Sequence, residues 1–93
     1  MVVGILTVVL FFEGSDSLKK KRMILHSLKA RLRNAFNVSV TQVADEDKWQ
    51  KATLAVVGVA RQRQEINREL SEAVNFIERF EGAVIIDYAT EFI

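Results

Sequence analysis

The sequence predicts an α+β domain in which a four-stranded antiparallel sheet carries both helices on one face, in the order βαββαβ. Three observations predict it. Two segments, Leu18–Ala35 and about Gln62–Phe80, place apolar residues at helical steps. Apolar runs rich in β-branched residues flank each of them. No proline and no Ser/Gly-rich stretch interrupts the 93 residues, so all elements fall within one domain, residues 1–93. Apolar residues make up 49% of the chain and charged residues 27%, the balance of a folded globular protein. A domain of this size buries roughly 60–65% of its unfolded surface. It must hold its core by packing alone, because it has no cysteine for a disulfide or a structural zinc.

The first strand, Val2–Phe12, is apolar at nearly every position, as a central strand covered on both faces should be. No signal peptide is expected in this run, which lacks a basic n-region and a cleavage site, and it is too short to span a bilayer. The expectation is therefore a soluble, cytoplasmic chain. Glu13-Gly14-Ser15-Asp16-Ser17 forms a turn with three candidate N-caps for the first helix. In that helix Leu18, Leu25, Leu28, Leu32 and Phe36 fall within roughly 80° of one another at about 100° per residue. Asn37 ends it, and Val38–Val43 alternates as a half-buried edge strand. Ala44–Lys51 is a polar connection that contains Asp45-Glu46-Asp47 and the only tryptophan. Ala52–Ala60 is a third strand, apolar on both sides. Ile66, Leu70, Ala73, Ile77 and Phe80 set the rhythm of the second helix, which Gly82 is expected to terminate through a positive φ. Ala83–Ile93 closes the sheet.

Strand–helix–strand occurs twice, the split βαβ plan, so the fold class is a ferredoxin-like two-layer sandwich. Strands 1 and 3 take the centre, strands 2 and 4 the edges. Strand 1 has two apolar registers, Val3/Ile5/Val9/Phe11 and Leu6/Val8/Leu10/Phe12, and only one can face the helices. The other leaves an apolar patch that a monomer seldom exposes. A second copy, meeting it sheet on sheet or through the last strand, is the expected cover, so a homodimer is predicted; a small-ligand pocket is the second option.

Charge is unevenly spread. Residues 1–36 carry a net charge of +5 and residues 37–93 a net charge of −4. Lys19, Arg22, His26, Lys29 and Arg33 form a stripe along the first helix beside its apolar face. Five potential cations in a line can track phosphates, while the bland counterpart is a solvated flank whose long side chains cover the core edge. Lys21 projects into the apolar sector, either to snorkel past the helix end or to meet an anion or carboxylate near the sheet. The helix N-terminus, with Ser15 and Ser17, reads first as a capped structural end and second as a phosphate seat.

An RNA-recognition-motif reading fails. The third strand carries no ring, and the first offers only Phe11 and Phe12 at its end. Asp45-Glu46-Asp47 lacks the alternating spacing of a calcium loop and reads as a solvated turn. His26 has no second imidazole for a metal and no Ser or Cys arrangement for a triad. No catalytic residue, metal site or cofactor is therefore expected, and the protein is read as not an enzyme. Trp49 is read first as an anchor folding its loop onto the domain, and second, with Gln50, as a partner-binding site.

Met1-Val2-Val3-Gly4, Ser17-Leu18-Lys19-Lys20-Lys21-Arg22, Leu32-Arg33-Asn34 with Phe36-Asn37-Val38-Ser39-Val40, and Trp49-Gln50 before Ala52-Thr53-Leu54 are separated segments that agree in order and spacing with one family. In them the chain resembles the YlxP-like family of small bacterial proteins of unknown function. Members usually carry an acidic residue at the position of Lys20, so this chain is more basic there. The resemblance implies a ferredoxin-like fold and a gene neighbourhood beside translation initiation and ribosome-binding factors, and it supplies no catalytic residues. The leading expectation is a non-enzymatic module that binds ribosomal or other structured RNA through the first helix. The alternative is a protein-interaction or small-ligand regulatory domain acting as a homo-oligomer.

Overall fold

A computed structural model of the chain describes all 93 residues. The elements are β1 (Val2–Phe11), α1 (Leu18–Ala35), β2 (Ser39–Ala44), β3 (Lys51–Ala60), α2 (Arg63–Glu78) and β4 (Val84–Phe92). They form one antiparallel sheet of strand order β2-β3-β1-β4 backed by two helices, the ferredoxin-like arrangement.

Register decides which face of β1 is core. Leu6, Val8, Leu10 and Phe12 are fully buried under the helices, joined by Ala52, Leu54 and Val56 of β3. Val3, Ile5, Val9 and Phe11 lie on the opposite face and are only half-buried. The expected ambiguity is thereby resolved in favour of the Leu6 register. Gly4 and Gly58 pair across β1 and β3 and together seat Ile66 of α2. A Cβ on Gly4 would stand 2.6 Å from Ile66 Cγ1, and one on Gly58 would stand 2.7 Å from Ile66 Cδ1. Ile66 reaches the sheet because neither strand has a side chain there.

Helix α1 starts where Ser17 caps it, its Oγ accepting from the Lys20 amide at 3.1 Å. Leu25, Leu28 and Leu32 are buried against the sheet, each such side chain stabilising the fold by about 1.5–3 kcal/mol. Leu18 and Phe36, at the two ends of the stripe, are only half-buried. The Phe36 ring meets Phe76 of α2 edge-on, with centroids 5.8 Å apart, and ties the helices together. The polypeptide leaves α2 earlier than Gly82 suggests. The helix ends at Glu78 with Arg79 as its cap, and Gly82, at φ 105°, instead turns the chain into β4.

Candidate nucleic-acid interface

Helix α1 turns its apolar stripe to the sheet, so the residues a third of a turn away face outward. Lys19, Arg22 and His26 are exposed, and with Met23 they line a shallow cavity of about 480 Å³. The chain's three ion pairs are Lys48–Asp45, Lys51–Asp45 and Arg68–Glu72, so no cation of α1 has a carboxylate within 4.0 Å. The stripe predicted from the sequence is not uniform. Lys29 is half-buried, and the Arg33 guanidinium donates to the Val40 carbonyl at 2.6 Å, fastening the end of α1 to the edge strand. Arg31, outside the stripe, lies over the Phe80 ring at 5.6 Å. The free cations therefore concentrate in the N-terminal half of the helix.

Lys21 neither snorkels nor meets an anion. It is 1% exposed, and its ammonium sits beneath the β2–β3 connection. There it donates to the backbone carbonyls of Asp45 (2.8 Å), Glu46 (3.4 Å), Lys51 (3.0 Å) and Lys48. Burial lowers the pKa of this ammonium and Arg22 adds to the effect, while the carboxylates of Asp45, Asp47 and Glu46 oppose it. One side chain of α1 thus holds the whole connection in place.

The connection is organised around Asp45, the one non-glycine residue with positive φ, at 66°. Its carboxylate accepts from Thr53 Oγ1 at 2.8 Å and pairs with Lys48 at 3.2 Å and Lys51 at 4.0 Å. The Thr53 hydrogen bond is the main cause that holds the Asp45 pKa below its usual value. Asp45 is therefore a structural loop residue, while Glu46 and Asp47 are exposed, as a solvated turn requires.

Trp49 does not anchor this loop. Its residue is 56% exposed, and the loop is held by the Lys21 ammonium and by the bonds of Gln50 instead. The Gln50 carbonyl accepts from the Phe12 amide at 2.9 Å, and its Nε2 donates to the Ser15 carbonyl at 3.3 Å. These contacts place Trp49 and Gln50 beside the start of α1. They line a groove with Phe11, Asp16, Lys48 and Lys51. The sequence shows both halves of this groove, but only the folded chain brings Phe11 and Trp49 together. The signal that could have revealed Lys21 was its place in the apolar sector, which marks a buried charge needing acceptors.

The open sheet face carries Val3, Ile5, Val9, Phe11 and Val57, and the edge strand β4 exposes Val84, Ile86 and Tyr88. No helix of the chain is long and apolar enough to cross a membrane.

Comparison with known proteins agrees with the resemblance carried by the motifs. The family model described as "Protein of unknown function (DUF503)" matches residues 3–90. The uncharacterized protein YlxP of Bacillus subtilis (strain 168) is 33% identical over 66 residues, which cover 71% of this chain and 72% of that protein. A match along nearly the whole chain makes this chain a member of the DUF503 family, the family to which the YlxP-like resemblance pointed.

Proposed function

We propose that this protein is a non-enzymatic module that binds structured RNA, ribosomal RNA foremost, through phosphate contacts on the outer face of α1. The observation that carries this reading is the unpaired state of its cations. Lys19 and Arg22 stand exposed beside His26 with no carboxylate within ion-pair distance, although the chain carries twelve acidic residues. A solvated flank ordinarily mixes both signs, whereas a surface that meets a polyanion keeps them apart. Such binding is only weakly sequence-specific and falls steeply with salt, because each neutralised phosphate releases counterions. The reading places the protein in the cytoplasm, where such RNA is found.

The test is the salt dependence of binding to a fluorescently labelled ribosomal RNA fragment. Replacing Lys19, Arg22 and Lys29 with Gln lowers the slope of log K against log salt by about 2–3, at ~0.7–0.9 per contact. Arg33 is varied separately because it also holds β2. An unchanged slope excludes this face.

A second reading is favoured by one observation, the exposed Val84, Ile86 and Tyr88 on edge strand β4. Here a second copy pairs along β4 and the protein acts as a homodimer. Sedimentation equilibrium then gives a dimer that Ile86→Lys dissociates; a monomer at high concentration rules the reading out.

A further inference from the structure

We propose that the groove between Trp49 and Phe11 is a binding site for one unpaired nucleobase carrying an exocyclic amino group, an adenine, a cytosine or a guanine in a single-stranded stretch of RNA. The inference rests on the RNA-binding reading and extends it to a second, base-contacting site.

The indole of Trp49 is the starting point. Nothing in the fold requires a ring at this position, since the loop is fastened by the Lys21 ammonium and by the Gln50 bonds to Phe12 and Ser15. The result is an exposed aromatic side chain on a pre-organised backbone. Ordering a loop on binding costs affinity, and here that ordering is already complete. Phe11 supplies a second ring. It lies on the open face of β1, directly across from Lys51 of β3. The groove of about 660 Å³ between them falls in the ~300–1,000 Å³ range of small-ligand sites. Two rings at one end of a sheet suit a flat, aromatic ligand.

The polar groups of the groove narrow the choice. Gln50 donates one Nε2 hydrogen to the Ser15 carbonyl, which leaves its Oε1 as an acceptor and its second Nε2 hydrogen as a donor. The Asp16 carboxylate, also lining the groove, is another acceptor. The two acceptors match the exocyclic amino groups of adenine (N6), cytosine (N4) or guanine (N2), whereas uracil offers only its ring N3–H. Lys48 and Lys51 share the single carboxylate of Asp45, and with Asp16 on the same rim the groove is neutral overall, so phosphate contact falls to the exposed Lys48 ammonium rather than to a net positive field. Glu46 and Asp47, exposed on the same loop, do not line the groove. Lys21 and Gln50 join the loop to the start of α1, so the groove lies at the N-terminal end of the helix that carries Lys19 and Arg22.

Trp49 is the only tryptophan, so its emission reports on the site directly. The test uses one labelled RNA hairpin in three forms: blunt, with an unpaired A4 tail, and with an unpaired U4 tail. Anisotropy reads total binding and Trp49 emission reads stacking. The expected result is that the A4 form quenches Trp49 and binds at least fivefold more tightly than the blunt form, while the U4 form does neither. Trp49→Ala removes that advantage, a loss within the ~5- to 150-fold typical of a stacking ring, and Trp49→Phe restores part of it. Thermal melts of both variants verify the fold, which the exposed ring does not support. If all three hairpins bind equally with unchanged emission, the base site is overturned and the α1 reading stands. If A4 and U4 tails quench alike, the amino-group selectivity is overturned. If no hairpin binds, both readings fall. An emission change that follows protein concentration without RNA assigns the groove to a protein contact and overturns the inference.

Discussion

The Lys21 ammonium stands 2.8 Å from the carbonyl oxygen of Asp45, which makes a buried lysine on α1 the fastening of a loop 24 residues further along the chain. Carbonyls from four residues of that loop converge on this one charge. A lysine suits the task because an ammonium is a compact point charge with rotatable donors. Its desolvation is offset only while the acceptors stay in place.

Lys21→Met therefore removes the donor and leaves the acceptors buried. The expected cost is about 2–4 kcal/mol, read as a lower urea midpoint. Trp49 emission should report loosening of the loop at lower urea than far-ultraviolet circular dichroism reports loss of the helices. Coincident and unshifted transitions would show that the ammonium contributes nothing.

Asp45 gives the molecule an acid-sensitive loop. Its folded pKa is held below the unfolded value chiefly by Thr53, so the unfolded state takes up the proton first as pH falls. The stabilisation is complete above the ordinary carboxylate range and is lost as pH descends through the folded value. Thr53→Val should flatten the fall in thermal midpoint between pH 5 and pH 3. Asp45→Asn, which tolerates the left-handed backbone, should flatten it further.

Gly58→Ala and Gly4→Ala should each destabilise by about 1–3 kcal/mol through overpacking, the first against Ile66 and the second against Ile66 and Leu70. The two differ in how they can be rescued. The Gly58 clash is with Ile66 Cδ1, an atom that Ile66→Val deletes, whereas the Gly4 clash is with Ile66 Cγ1, whose place valine still fills, and with Leu70 Cδ1 at 2.8 Å, which the substitution leaves in place. A double-mutant cycle should show favourable coupling for Gly58→Ala with Ile66→Val and little for Gly4→Ala with Ile66→Val. Equal coupling would contradict the seating of Ile66 described above.

Ser17→Ala should cost about 1 kcal/mol, because the Lys20 amide loses its side-chain acceptor. Ser17→Asp should retain the cap. Both effects are measurable as shifts in the urea midpoint, and an alanine variant as stable as the parent would show that water replaces the hydroxyl without loss.

Element order and type were legible in the sequence because both follow from local periodicity. The leucines of α1 at helical steps and the β-branched runs of β1 and β3 require no knowledge of a partner. Their edges shifted by a few residues, as at α2, where the chain leaves the helix at Glu78 because Gly82 serves the following turn. The outward stripe of α1 was legible for the same reason, although Arg33 proved to be engaged with Val40.

What the sequence by itself determined was the βαββαβ plan, the helix faces and the unequal distribution of charge, since each is a pattern among near neighbours. Tertiary structure decided the rest. Val3 and Leu6 belong to equally apolar registers, and only the seating of Ile66 on Gly4 and Gly58, with the pairing of β1 and β3, put Leu6 inside. Lys21 found carbonyl acceptors rather than an anion because a loop distant in sequence folds over it. Trp49 is exposed beside Phe11 because that same loop is held by Lys21 and Gln50 and has no need to bury its ring. These outcomes depend on contacts between residues far apart in the chain, and such contacts exist only once the sheet and helices have packed.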